Sequence, residues 1–333
     1  MDLTEIDYQL PPRAIAQEPA EPRDSARLLV DRGPERQPMD HHIADLPDLM
    51  ESGDLLVVNE TRVLPARLQL RKATGGTVEV LLLEPYDGGW QALVRPSRRV
   101  MPGTTLRAGE DLTVEVGARL PDGRRHVRLH TGDELAALQR HGQVPLPPYI
   151  RSRLDDPDRY QTVYARPPDT TGSAAAPTAG LHLTHEVLDR CRQRGIGVVP
   201  VELIVGADTF RPIETRRVEE HPMHSERYRV PPGTMDACAA ARRVVAVGTT
   251  VVRALESAAA TGDLEARTSL FIHGDYRFRV VDVLMTNFHM PRSSLLALVD
   301  SFVGKRWRVL YEEALRRGYR FLSFGDAMLL ARA

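Results

Sequence analysis

Cysteine is nearly absent: Cys191 and Cys238 are the only two in 333 residues. Two thiols exclude a disulfide scaffold and a structural zinc cluster built on thiolates. Aromatic residues make up only 5%, so aliphatic side chains must do most of the packing. A charge excess is missing too. Lys and Arg number 44 against 45 Asp and Glu, a net charge of −1, and no global field announces a nucleic-acid partner. No run approaches the ~20 apolar residues that span a bilayer. The opening Met-Asp-Leu-Thr-Glu is acidic and lacks an apolar h-region, so no signal peptide is expected. No Gly-x-Gly-x-x-Gly, Walker loop or Gly-x-Ser-x-Gly elbow occurs. Those absences speak against a dinucleotide fold, a P-loop enzyme and a serine hydrolase. Both cysteines lie in helix-like stretches with no motif nearby, so a cysteine nucleophile is weakly supported.

What is present is 42% hydrophobic residues, ample for packed cores. The length allows about two domains, and a cytoplasmic enzyme is expected. The first forty residues are rich in proline and charge and read as an extended arm. Asp54-Leu-Leu-Val-Val-Asn59 reads as a buried strand. From Val63 to His130 short alternating stretches follow, separated by Gly75-Gly76, Asp87-Gly88-Gly89, Pro102-Gly103 and Asp122-Gly123. Such spacing predicts a small antiparallel barrel or sandwich. Beyond Pro177 the pattern alternates strand and helix. Strands are expected at Val198–Val205, Val244–Val247, Val280–Thr286 and Tyr319–Phe324, with helices from Thr184 to about Arg194, after Gly248 to Ala260, and from about Ser294 to Arg317. The fold class is therefore α/β with an inserted β-rich segment. The expected boundaries are 1–62 with 147–333 for the α/β domain and 63–146 for the insertion.

The insertion is locally basic. Between Arg62 and Arg128 there are twelve Lys or Arg and seven Asp or Glu, a net +5, which leaves −6 for the rest. A basic β-domain beside an acidic α/β domain suits an RNA grip beside a site for a cationic ligand. A solvated barrel surface is the plainer reading of the same charges.

Open α/β sheets bind ligands beyond the C-terminal ends of their strands. Four expected strand ends carry small and polar residues: Gly248-Thr249-Thr250, Asn287-Phe288-His289, Gly206-Ala207-Asp208 and Gly325-Asp326. Thr249 reads equally as a helix cap. Convergence of the four predicts a polar ligand pocket. Two His-x-x-His pairs occur, His182/His185 and His221/His224. Pro222 interrupts the second and neither has an obvious third ligand, so no metal is expected. His224-Ser225-Glu226 places a histidine beside a carboxylate, a pairing suited to proton transfer.

Several longer strings resemble one family. They include Asp7-Tyr-Gln-Leu-Pro11, Asn59-Glu-Thr-Arg-Val-Leu-Pro-Ala-Arg67, Pro145-Leu-Pro-Pro-Tyr-Ile150 and Ala175-Ala-Pro-Thr-Ala-Gly-Leu-His182. Glu220-His-Pro-Met-His-Ser-Glu226, Val245-Ala-Val-Gly-Thr-Thr250 with Arg253-Ala-Leu-Glu-Ser257, Thr286-Asn-Phe-His-Met-Pro291 and Gly325-Asp-Ala-Met328 join them, as do Ile15-Ala-Gln-Glu-Pro-Ala-Glu-Pro-Arg23 and Tyr160-Gln-Thr-Val-Tyr164. In chain order they resemble the S-adenosylmethionine:tRNA ribosyltransferase-isomerases of queuosine biosynthesis. The resemblance implies an α/β/α sandwich with an inserted antiparallel β-barrel. It implies transfer and isomerisation of the ribosyl group of S-adenosylmethionine onto a 7-aminomethyl-7-deazaguanine at the tRNA wobble position. Epoxyqueuosine forms, and adenine and methionine leave. No cofactor beyond that substrate and no metal is implied; the partners are tRNA and S-adenosylmethionine, without a membrane, and a monomer is expected.

Such a reaction needs a base beside the sulfonium, an acid for adenine and a neutral acceptor amine. His182, His224, Glu226 and His289 are the candidates for proton transfer. Thr249, Thr250, Asn287, Asp326 and Asp208 are candidates for holding the substrate. Arg62, Arg67, Arg98 and Arg99 are candidates for tRNA phosphates. Two positions depart from the family pattern: Asp208 stands where glycine is usual, and Glu60 where asparagine is usual. A diverged paralogue with another acceptor and a non-catalytic RNA-binding protein are the competing readings. An ordinary methyltransferase lacks its glycine-rich loop here.

Overall fold

The segment Asp54–Asn59 has no polar face: all six residues are buried. A strand of that kind has to be covered on both sides, as in a sheet flanked by helices. The computed structural model of the chain describes residues 1–167, 172–206 and 212–333. In it this strand sits inside a nine-stranded sheet.

The strands are, in chain order, β1 (Arg27–Asp31), β2 (Met39–His42), β3 (Asp54–Asn59), β4 (Arg67–Lys72), β5 (Thr77–Tyr86), β6 (Gly89–Arg95), β7 (Thr104–Ala108) and β8 (Leu112–Arg119). Then come β9 (Arg125–His130), β10 (Gly142–Gln143), β11 (Gly197–Leu203), β12 (Glu226–Arg229), β13 (Arg243–Val247), β14 (Glu265–Thr268), β15 (Val283–Asn287) and β16 (Ala327–Ala331). The helices are α1 (Leu46–Leu49), α2 (Glu134–His141), α3 (His185–Gln193), α4 (Pro232–Ala240), α5 (Thr249–Thr261), α6 (Ser294–Val303) and α7 (Arg306–Arg316).

The large sheet has the order β14-β12-β11-β3-β13-β15-β16-β1-β2. Strands β11, β3, β13 and β15 run parallel, while β16 runs against β15. Alternate residues point to opposite faces. Leu55, Val57, Val244, Ala246 and Leu284 pack with residues of α5, α6 and α7. Leu56, Val58, Val245, Val247 and Met285 pack on the other face with α3 and Leu46 of α1. The result is an α/β/α sandwich. Local chemistry sets its helix ends: the Thr184 side chain accepts the Val187 N–H at 3.2 Å, and left-handed Gly262 ends α5.

The second sheet closes on itself. Its order is β4-β5-β6-β9-β8-β7, and β7 returns to β4 through Arg71↔Arg107 and Lys72↔Leu106. Six antiparallel strands thus form a barrel around its own core of Leu68, Leu70, Val80, Leu82, Trp90, Val114 and Val127, and β10 adds to the edge of β4. The barrel leaves the large sheet directly after β3. Its two linkers are stitched together: Gln161 bonds both the N–H and the C=O of Val63, at 3.0 and 2.7 Å. The Ser173 hydroxyl bonds Thr61 Oγ1 at 2.7 Å and the Val205 N–H at 2.8 Å.

Three expectations need correction. The first forty residues are not only an arm, because apolar Leu28-Leu29-Val30 inserts as β1 beside β16. Tyr319–Phe324 is a turn, and the strand begins at Ala327; the aromatics pack instead, with Phe288 and Phe321 stacked at 4.6 Å. The expected helix from Ser294 to Arg317 is two helices, broken at Gly304 with φ +62°. The short strand β7 was also absent from the sequence reading.

At the opposite edge of the sheet Asp54 is fully buried and anchors Arg243 through two contacts of 3.0 and 2.5 Å, with Arg242 at 3.1 Å. Both arginines are a third or more exposed, which discounts the pair, but their carboxylate partner has no access to water. Asp54→Ala should destabilise the chain by about 2–3 kcal/mol, near the low end for breaking a buried pair, as read by urea unfolding. Activity of the folded fraction should be unchanged.

Candidate active site

Because both faces of the sheet are covered, polar chemistry is confined to its edges. At the edge where β3, β11, β13 and β15 end, β16 begins, since it runs against β15. That direction returns Gly325-Asp326 to the edge reached by Asn287.

Two of the expected strand ends build one groove. Gly248, with φ +94°, precedes α5, and its N–H bonds the Met285 carbonyl at 2.8 Å. A Cβ there would lie 3.6 Å from that of Ala179. Thr249 and Thr250 follow at the start of α5, and Thr250 Oγ1 accepts Asn59 Nδ2 at 3.2 Å. Across from them Asn287 accepts the Thr178 hydroxyl at 2.9 Å and donates to the Asp326 carbonyl at 3.3 Å. His289 completes the wall. Its backbone is pinned by two tyrosines: Tyr8 donates to its carbonyl at 2.6 Å, and its N–H donates to Tyr311 at 3.0 Å. The ring Nε2 meets Thr286 Oγ1 at 2.9 Å. Burial pushes the imidazole down to about 3, so the ring is neutral near neutral pH.

This groove of about 370 Å³ adjoins a second of about 360 Å³, which adds Tyr149, Ser293 and Ser323. The Tyr149 hydroxyl bonds Ser323 Oγ at 2.7 Å, and burial pushes it up to about 12. Leu295 lines both grooves and also a cleft of about 860 Å³ against the barrel. One wall of the cleft is Leu83, Glu84 and Arg124 of the barrel; the other includes His221, His224, Glu226, Arg253 and Phe271. Glu226 and Arg253 form a buried ion pair. The other Glu226 oxygen accepts the Gly206 N–H at 2.9 Å, and Arg253 also donates to the Leu270 carbonyl at 3.1 Å. Arg267 of β14 bridges to Glu84 at 2.9 Å and ties the barrel to the sandwich beside the cleft.

Thr249, Thr250, Asn287 and His289 are therefore brought together, and His224 and Glu226 stand in the adjoining cleft. Glu226 is engaged on both oxygens, which suits a positioning carboxylate. His182 lies apart: both ring nitrogens face backbone carbonyls, Ala179 at 3.2 Å and Gly325 at 2.7 Å. Burial pushes its pKa down, and the ring acts as a strut between two turns. Asp326 lines none of the grooves. Its oxygens accept the N–H groups of Arg27 at 3.1 Å and Arg320 at 2.8 Å. Asp208 lies outside the described residues. Glu60 lines none of the grooves either; it faces Arg229 at 3.5 Å, and burial raises its carboxyl.

Arg62 donates to the Arg166 carbonyl at 2.6 Å and Arg67 to that of Leu146 at 3.4 Å, so both fasten the linkers. Arg98 and Arg99 are exposed but lie past Arg95. That residue pairs with Glu79, whereas cleft-lining Glu84 pairs with Gln91. The two arginines thus sit at the end of β6 away from the cleft. Sequence reasoning met Arg253 and Tyr149 within family strings and Arg124 in the basic stretch, but gave none of them a site role. An arginine within the apolar run of α5, four residues after Thr249, was the available signal for Arg253. Among the described residues no group of three His, Cys, Asp or Glu is placed to hold a metal ion, and no helix is long and apolar enough to cross a membrane.

An α/β/α sandwich with an antiparallel barrel inserted after β3, and a cleft lined by both, defines a two-part architecture. The chain belongs to the family described as queuosine biosynthesis protein, which it matches over residues 3–330. It is 51% identical over 331 residues to the S-adenosylmethionine:tRNA ribosyltransferase-isomerase of Rubrobacter xylanophilus, covering 99% of this chain and 98% of that protein. It is 46% identical to the protein of the same name from Thermotoga maritima, over 99% of this chain and all of that one. The crystal structure of S-adenosylmethionine tRNA ribosyltransferase from Thermotoga maritima superposes with a TM-score of 0.55 at 37% identity, covering 98% of this chain and 99% of that one.

The buried neutral imidazole makes a pH prediction. Because its folded pKa lies below the ordinary 6.5, the unfolded chain takes up that proton first on acidification. The stability is fully present above pH 6.5 and is lost as pH falls toward about 3. His182 and His221 are also lowered and add to the slope. His289→Gln should flatten the decline between pH 6.5 and about 5 by up to about 1.4 kcal/mol per pH unit, measured by denaturant melts across pH.

Proposed function

We propose that this chain is an S-adenosylmethionine:tRNA ribosyltransferase-isomerase. It moves the ribosyl group of S-adenosylmethionine onto the aminomethyl arm of 7-aminomethyl-7-deazaguanine at the tRNA wobble position, and releases adenine and methionine as epoxyqueuosine forms. The observation that carries this reading is that the grooves beside His289 and the start of α5 share Leu295 with the cleft walled by the barrel. Family membership over nearly the whole chain supports the same reaction.

In this reading the start of α5, with Thr249 and Thr250, receives the methionyl carboxylate, because its free N–H groups favour an anion. Asn287 and Tyr149 hold the adenosyl part. A proton carrier works best with a pKa near the operating pH. Burial holds His289 well below that, and a substrate carboxylate seated beside it raises it. His224, at the cleft wall, is the second proton carrier. Glu226 keeps Arg253 and Gly206 in place, while His182 positions the 178–182 turn. Residues 63–146 form the tRNA-contacting domain, and 1–62 with 147–333 the catalytic one. The enzyme works as a cytoplasmic monomer with no cofactor beyond S-adenosylmethionine.

The test uses S-adenosylmethionine labelled either in the ribose or in the methyl group, with tRNA carrying the deazaguanine. Ribose label should enter the tRNA nucleoside; transfer of methyl label alone refutes the assignment. In the same assay His289→Ala should lower turnover by ~10²–10⁴-fold and leave tRNA affinity unchanged.

The exposed arginines at the far end of the barrel are assigned to phosphates of the tRNA. Arg71, Arg95, Arg98, Arg99 and Arg107 are all exposed there. Replacing Arg98 and Arg99 together by Ala should flatten the salt dependence of tRNA binding by a slope of about one per lost contact. An unchanged slope means that this end of the barrel faces solvent in the complex.

A further inference from the structure

We propose that the outer face of the barrel beside the cleft is a stacking platform for one unpaired RNA base, with Tyr86 as the ring on which the base lies. The inference deepens the tRNA reading above and rests on it.

The sheet pairing builds this face. A bulge between Leu82 and Glu84 resets β5 so that Glu84 opposes Gln91, and Tyr86 opposes Gly89. On the next strand Gln91 opposes His126. Their neighbours Trp90, Ala92 and Val127 fill the barrel core, so Glu84, Tyr86, Gln91 and His126 face outward. Two glycines make room for the histidine ring. A Cβ at Gly89 would fall 2.8 Å from His126 Nε2, and one at Gly117 would fall 3.2 Å from Nδ1. The ring lies in that trough, and among the described residues its buried Nε2 has no hydrogen-bond partner. Tyr86 stands against it edge-on, with centroids 6.0 Å apart at 72°. It is nonetheless 43% exposed, one of few exposed large apolar side chains among the described residues.

The position identifies the occupant. Glu84 and Arg124 belong both to this face and to the cleft wall, so the platform is the cleft's rim. A wobble base that enters the cleft must leave its stack. The adjacent base then lacks a stacking partner, and an exposed aromatic supplies one for any base. Arg128, exposed two residues beyond His126 on the same face, is placed for the phosphate of that nucleotide. A single ring flanked by arginines fits a nucleotide better than a protein surface, which would need a broader apolar patch.

The test measures binding of an anticodon stem-loop RNA to the full-length parent and to Tyr86→Ala, Tyr86→Phe and Tyr86→Trp. The first should weaken binding by roughly 5- to 100-fold and leave the KM for S-adenosylmethionine unchanged. The other two should bind like the parent. Trp90 and Trp307 are buried and emit in the parent too, so the indole of Tyr86→Trp is read as the difference from the parent, and the stem-loop should quench that difference. Parental affinity in Tyr86→Ala, or unquenched emission in Tyr86→Trp, overturns the platform. Ribose transfer by the parent is assayed alongside. Transfer without a Tyr86 effect removes only the platform, whereas no transfer by the parent removes the enzyme reading itself.

Discussion

Burial of the large sheet on both faces is the constraint from which the rest follows. Every side chain of β3 and β15 is buried, and nearly all of β13 and β16. Polar groups that must meet a ligand can therefore emerge only where strands end. The chain enriches one such edge by running β16 against β15. A parallel β16 would have carried Gly325-Asp326 to the other side of the molecule. The direction reversal brings the Asp326 carbonyl within reach of Asn287 and fixes the groove's floor.

At that edge most of the polar groups are consumed in holding one another. Asn59 bonds the N–H and C=O of Leu203, at 3.1 and 3.0 Å, and also Thr250. Asp326 is spent on two backbone amides, and Glu226 on Arg253 and Gly206. Buried polar groups left without partners are costly, so these ties explain why so many Asn, Asp and Thr side chains gather there. They also separate supports from reactive groups. His289 is bonded through one ring nitrogen, and among the described residues its Nδ1 carries no hydrogen bond. His182 has both ring nitrogens against backbone carbonyls, one of them accepting its single N–H, and holds the scaffold.

The barrel is attached where the reaction needs it. It leaves from the end of β3, so its near rim has to overhang the sheet edge. The Gln161–Val63 and Ser173–Thr61 stitches fix the linkers, and Glu84–Arg267 closes the far corner of the cleft. That exposed pair is worth little to stability by itself, about 0–1 kcal/mol. Its effect is geometric, because it sets the separation of the two cleft walls. Basic residues then divide by position: Arg62 and Arg67 secure linkers, Arg124 and Arg128 stand at the near rim, and Arg98 and Arg99 cap the far end.

Elements whose pattern is local can be read along the chain. Continuous apolar runs identify β3, β13 and β15, and period-2 alternation with glycine turns identifies the barrel strands. Those signals depend only on neighbours along the chain. The sequence did not reveal β1, because a three-residue apolar core among prolines resembles a loop until β16 is there to pair with it. It misplaced β16, because buried aromatics at Tyr319 and Phe321 imitate a strand while packing against Phe288. Nor did it separate His289 from His182, or the near-rim arginines from the far ones. Those distinctions depend on which backbone carbonyls, which strand direction and which register come together across the fold. The fold has to bring them together, because Gly325 against His182 and Arg267 against Glu84 are each more than a hundred residues away along the chain.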